Sequence, residues 1–252
     1  MKENSFNDKQ EILDDKSSSG VKEYYFEHNI KDDKYDKSLK VILLGDPMVG
    51  KSSIIQRICK GVFADNLSPT ISIEYHNYSI KINNEYTVRL KIWDTAGQEK
   101  FNSIVKNYYQ STDFGIYIYS IDDLQSFERI KDFLYEAQEN NQKNDNNNLV
   151  KNILLGNKKD LESNRKISYF QGEKFANENK FLIFKEISCK SDEEKEVNNI
   201  LEVFEEIAKY TYLNRGSTID SDSMNYVASN SMIEISKTNK IKNKQKNKKK
   251  CC

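Results

Sequence analysis

"GDPMVGKSS", Gly45 to Ser53, follows the apolar run "LKVILL" (Leu39 to Leu44) and leads into "IIQRICKG". A short apolar run that ends in glycine fits a strand buried on both faces, and the text after it predicts a helix that stops at Gly61. Gly45, Gly50, Lys51 and Ser52 complete G-x-x-x-x-G-K-[ST] between the two, which is the context a phosphate cradle requires. Backbone NH groups of the loop and the helix start, at Asp46, Met48, Val49, Gly50, Lys51, Ser52 and Ser53, are then placed to surround phosphate oxygens. Lys51 is expected to reach the β and γ phosphates, and the Ser52 hydroxyl to coordinate Mg²⁺. Pro47 and Met48 stand where small, flexible residues are expected. The loop therefore raises two questions: whether it still holds a nucleotide, and whether the protein still breaks one down.

The remaining pattern alternates strands with helices. "YHNYSIKINNEYTVRLKIWD" holds two β-rich runs around Asn83 and Asn84, with Val88, Leu90 and Ile92 alternating with Arg89 and Lys91, and reads as a hairpin. "FGIYIYSI" (Phe114 to Ile121), "NILLGN" (Asn152 to Asn157) and "FLIFKEIS" (Phe181 to Ser188) read as three more buried strands. "SFERIKDFLYEAQE" and "ISYFQGEKFANEN" read as helices, and a last helix carries Ile200, Val203, Phe204 and Ile207 at helical spacing. This order predicts an α/β sandwich with a mostly parallel sheet, whose ligands sit at the carboxyl ends of the strands. "NNQKNDNNN" (Asn140 to Asn148) reads as a low-complexity loop expansion.

Two segments place further chemistry on that rim. "WDTAGQE" (Trp93 to Glu99) begins at the end of a hairpin strand. Asp94 is suited to hold Mg²⁺, Gly97 offers a backbone NH toward a γ phosphate, and Gln98 is a side chain able to orient an attacking water. "NKKD" (Asn157, Lys158, Lys159, Asp160) follows another buried strand. An Asp there accepts hydrogen bonds from two adjacent donors of guanine, whereas adenine would leave the carboxylate poorly paired.

Composition bounds the rest. With 252 residues and a formal net charge of zero, the chain divides into a polar front (Met1 to about Ser38), a domain of about Leu39 to Leu213, and a polar rear whose end "KTNKIKNKQKNKKK" carries only positive charge. Both extremities are expected to be disordered, for lack of apolar area to offset ordering entropy. A basic run fits nucleic acid, an import receptor or an anionic membrane equally well. The four cysteines, Cys59, Cys189, Cys251 and Cys252, show no disulfide or zinc spacing, which points to a reducing compartment. No apolar run approaches the ~18 residues needed to span a bilayer, so membrane contact would require an anchor.

The phosphate loop, D-x-x-G and N-K-x-D, in this order, resemble the Ras superfamily of small GTPases over nearly all of Leu39 to Leu213. "ISIEY" (Ile71 to Tyr75), "RLKIWDTAGQEKFNSIVKNYYQ" (Arg89 to Gln110) and the terminal "CC" look most like the Rab family. The resemblance implies a P-loop G domain at 39–213, with a mostly parallel six-stranded sheet and helices on both faces, between disordered segments at 1–38 and 214–252. It implies that Thr70 coordinates Mg²⁺ and senses the γ phosphate, and that Phe63 packs on the guanine face, with an ordinary core phenylalanine as the alternative. Ser188, Cys189 and Lys190 look like the family's S-A-K loop. Cys189 replaces Ala at a position that reads the base through its backbone NH. Cys59 reads as core filler.

Hydrolysis of GTP to GDP and phosphate would then proceed by positioning and electrostatics. The sequence shows no internal arginine placed to accelerate it. Loss of the γ phosphate would release Thr70 and Gly97, so the loops near 63–75 and 94–110 are expected to change with the nucleotide. Rab proteins are glycine-rich where Pro47 and Met48 stand. Proline lacks an NH and methionine disfavours conformations that glycine adopts cheaply. Binding is expected to survive, with slow hydrolysis and an altered response to activating proteins.

The double cysteine after the lysines, Cys251 and Cys252, looks like the Rab site for two geranylgeranyl groups. This turns the basic tail toward a membrane and away from nucleic acid. The resemblance implies an exchange factor, a GTPase-activating protein, a prenylation escort, a dissociation inhibitor and effectors as partners. It places the chain on the cytoplasmic face of an intracellular membrane, and in the cytosol when extracted. Two rival readings are a GTP-binding scaffold that barely hydrolyses, which Pro47 favours and Gln98 and Thr70 oppose, and a Ras-like signalling GTPase at the plasma membrane.

Overall fold

The computed structural model describes residues 23–31, 33–64, 74–95, 109–141 and 150–215. Thr70, Gly97, Gln98, Cys251 and Cys252 lie outside these residues, as do most of the Asn-rich loop and the lysine-rich tail.

Strand β2 (Lys37–Leu44) explains the architecture. Successive side chains of a strand point to opposite faces, so an unbroken apolar run needs cover on both. Leu39, Val41 and Leu43 join one core with Ile54, Ile55 and Ile58 of α1 (Lys51–Lys60) and Val203, Phe204 and Ile207 of α5 (Glu194–Leu213). Ile42 and Leu44 join the other, with Ile130, Leu134 and Ala137 of α3 (Ile130–Asn141) and Phe175 and Ala176 of α4 (Tyr169–Glu178). Helices therefore cover both faces.

Among the described residues the sheet has seven strands, in the order β1-β3-β4-β2-β5-β6-β7. Strands β4 (Tyr86–Asp94) and β5 (Phe114–Ser120) flank β2 in parallel, followed by β6 (Lys151–Asn157) and β7 (Ile183–Glu186), also parallel. Strand β3 (Glu74–Ile82) pairs antiparallel with β4 through a turn in which Asn83 and Asn84 take positive φ, 51° and 59°. Asparagine tolerates that region better than most residues, which is why the pair could mark the hairpin.

Three expectations need correction. Among the described residues the sheet has seven strands and not six, because β1 (Phe26–His28) lies inside the segment expected to be disordered and pairs antiparallel with β3. "YYF" at Tyr24 to Phe26 supplies aromatic area that a count of aliphatics overlooks; Tyr24 and Phe26 pack against the main core. Strand β7, expected to be buried, is only half-buried because it closes the opposite edge of the sheet. The helix expected over "SFERIKDFLYEAQE" is two, α2 (Leu124–Glu128) and α3, meeting at Arg129.

Candidate nucleotide site

Parallel strands bring their carboxyl ends to one rim, so Gly45 after β2, Asp94 at the end of β4, Asn157 at the end of β6 and Ser188 after β7 share it. The phosphate loop is shaped by three unusual backbone angles: φ is 150° at Gly45, 62° at Met48 and 103° at Gly50. A side chain at Gly45 would put its Cβ 2.2 Å from the Ile118 carbonyl oxygen, so only glycine fits. Met48 occupies the left-handed region that glycine takes without strain, and it keeps its side chain 83% exposed. Pro47 is also exposed. Both departures sit at the loop tip with their side chains in solvent, and the loop retains its turn.

Inside the loop, the Lys51 ammonium donates to the carbonyls of Gly45 and Asp46, each at 2.8 Å. Burial pulls its pKa down to about 8, against the pull of the Asp94 and Asp46 carboxylates toward the charged form. The Ser52 hydroxyl donates to Asp94 Oδ2. Burial raises the Asp94 pKa, and the Ser52 hydrogen bond and the Lys51 charge oppose that rise. Asp94 Oδ1 is buried and has no hydrogen-bond partner among the described residues. An orphaned carboxylate oxygen beside a hydroxyl is the donor set that Mg²⁺ takes when phosphate oxygens and water complete its shell. These residues fit the cation. Thr95 donates to the Leu43 carbonyl at 2.7 Å, tying the end of β4 to the strand that enters the loop.

Among the predicted base-binding residues, Asn157 reaches the same loop. Asn157 donates to the Val49 carbonyl at 2.7 Å and accepts from the Cys189 NH at 3.4 Å, so one side chain bridges phosphate loop and S-C-K loop. A Cβ on Gly50 would lie 2.1 Å from Asn157 Nδ2, which leaves no room for alanine beside that bridge. Ser188 donates to Asp160 at 2.5 Å, and Lys158 adopts φ 63° where the chain turns from Asn157 toward Asp160. Cys189 is buried, and burial raises its thiol pKa to about 12, so it is no nucleophile at neutral pH. Lys190 is exposed. Phe63 is half-buried and packs against the main core. Cys59 packs there too, as expected.

Sequence reading missed Arg57. From α1 it donates to the Cys189 carbonyl through Nε (3.1 Å) and Nη2 (2.7 Å), and through Nη1 to Asp192 (2.9 Å). It ties the S-C-K loop to the helix that starts at the phosphate loop. Its only local signal was an arginine on a helix face that should be apolar.

The chain matches the model of the Ras family over residues 40–212. It is 36% identical to the Ras-related protein Rab-19 of Xenopus laevis over 181 residues, 72% of this chain and 80% of that protein. It is 32% identical to the Ras-related protein Rab-11B of Dictyostelium discoideum over 208 residues, 82% of this chain and 89% of that one. Against the Ras-related protein Rab5 of Nicotiana tabacum the identity is 38% over 170 residues, covering 68% of this chain and 79% of its relative.

Proposed function

We propose, from the premise that this chain belongs to the Ras family and is a Rab small GTPase, that it works as a lipid-anchored timed switch: loaded with GTP it recruits effectors to an intracellular membrane, and hydrolysis ends the signal. The observation that best supports this reading is the bridge at Asn157, which couples the phosphate loop at Val49 to the S-C-K loop at Cys189. A base held by Asp160 and Ser188 would thereby be referenced to phosphates held by the loop.

The loop NH groups and the Lys51 ammonium hold the β and γ phosphates and take up charge as the γ phosphoryl group departs. Ser52, Asp94 and Thr70 would hold Mg²⁺, whose charge offsets that of the phosphates. Gln98 orients the attacking water, and the NH groups of Thr70 and Gly97 register the γ phosphate. Phe63 and Lys158 would flank the base. Pro47, at the exposed tip, withholds an NH and presents a rigid ring to an approaching activating protein. We therefore expect slow hydrolysis and a blunted response to such proteins. Undiminished acceleration by a Rab-type activating protein would overturn the second half.

Base selectivity tests the reading directly. Fluorescent GDP should bind at least about 100-fold more tightly than fluorescent ADP, with Asp160→Ala abolishing the difference. Equal affinity for the two in the unmodified chain would contradict it.

Geranylgeranylation of Cys251 and Cys252 would supply the anchor, assisted by an escort protein and reversed by a dissociation inhibitor. Two chains hold stably where one is marginal, and the lysines from Lys237 to Lys250 add attraction to an anionic leaflet. No helix among the described residues is long and apolar enough to cross a membrane.

A further inference from the structure

Arg129 lies between α2 and α3, far in sequence from the phosphate loop, yet its guanidinium reaches into it. Asp123 caps α2 by accepting from the Gln125 NH at 3.1 Å, and the Arg129 NH closes the helix on the Gln125 carbonyl at 3.1 Å. That turn brings Arg129 Nη1 to 2.9 Å from Asp46 Oδ1, with side chains 29% and 10% exposed. The guanidinium also lies 5.7 Å from the centre of the Phe133 ring, which limits its freedom.

Asp46 places a buried carboxylate in a loop that is expected to hold phosphate. The NH groups of the loop, the Lys51 ammonium and the start of α1 attract anions. A carboxylate there opposes phosphate binding unless it is paired. Its charge is felt at the site, since Asp46 favours the protonated form of Lys51.

We propose that Arg129 neutralises the Asp46 carboxylate and holds it against the junction of α2 and α3, so that the phosphate loop meets the nucleotide without a competing negative charge. Arg129 is thus a positioning residue that sets nucleotide retention through Asp46. The proposal rests on nucleotide binding at this loop and adds a determinant of how long the nucleotide stays.

The test is release of fluorescent GDP from the full-length chain into excess unlabelled GDP, for the unmodified chain, Arg129→Ala, Asp46→Asn and the double variant. Arg129→Ala should release about fivefold faster at low salt. The acceleration should shrink as salt screens the carboxylate that the substitution leaves unpaired by Arg129. In the Asp46→Asn background, Arg129→Ala should change release by less than about twofold, because no charge is left to neutralise. Equal acceleration in both backgrounds would mean that Arg129 acts through its packing on Phe133, and would overturn the proposal; so would release at the unmodified rate. Should Arg129→Ala fail to fold, Arg129→Gln carries the same four-way comparison. Failure of the unmodified chain to retain fluorescent GDP would instead sink the nucleotide-binding reading, and this inference with it.

Discussion

At the scale of single residues, Lys51 ties the site to pH. Its pKa in the empty protein is about 8, below the ordinary 10.5, because burial penalises the ammonium. Bound phosphates favour that ammonium, so above pH 8 the empty site has lost a proton that the filled site keeps. Affinity for GDP is therefore flat below pH 8 and about tenfold weaker at pH 9 than at pH 7. A binding titration across that range checks this, and a flat profile contradicts it. Gly50→Ala should cost about 2 kcal/mol or more of stability, since the new Cβ meets Asn157 Nδ2 at 2.1 Å and φ is 103°. Denaturant unfolding reads the loss. Met48→Gly should shift stability by less than about 1 kcal/mol, because relief from a left-handed angle is offset by a more flexible unfolded chain. The loop and its partners at 94 and 157–160 were legible in the sequence, because each motif is defined by spacing within a few residues. Arg57 and Arg129 were not. Arg57 bonds a carbonyl 132 positions away, and nothing in local spacing encodes such a partner.

Among elements, β1 departs furthest from expectation. It pairs Phe26 with Ile82 and His28 with Ile80, and His28 bonds both Glu205 of α5 (2.8 Å) and Tyr78 of β3 (2.9 Å). The Tyr24 and Tyr212 rings meet edge-on with centres 6.0 Å apart. Removing residues 1–30 should therefore lower stability by about 2–4 kcal/mol, through lost burial of two aromatic rings and the His28 bonds. Chemical denaturation of the truncated chain measures it, and unchanged stability would show that the strand adds nothing. The other strands were readable, since each is long enough to show its apolar run or its alternation. A three-residue strand is too short for either pattern, and its charged flanks resemble a disordered tail. The break at Arg129 was hidden too, because α2 and α3 follow each other in one continuous helical pattern.

For the whole molecule, the fold gathers the ends of β2, β4, β6 and β7 into one rim, and under the proposed function Cys251 and Cys252 would supply the attachment. Replacing both Cys251 and Cys252 by serine should abolish retention on membranes in cells, and replacing one should leave binding weak and reversible. Fractionation of the expressed variants reads this out; retention of the double variant would remove the lipid anchor from the account. The central claim is that this Rab GTPase is a timed switch despite Pro47 and Met48. The most direct test is single-turnover hydrolysis of GTP by the purified chain beside Gln98→Leu and Pro47→Ser. The account predicts hydrolysis clearly above Gln98→Leu, with Pro47→Ser faster still. A rate equal to that of Gln98→Leu, restored by Pro47→Ser, would contradict it and make the protein a GTP-bound scaffold whose loop has switched off the clock.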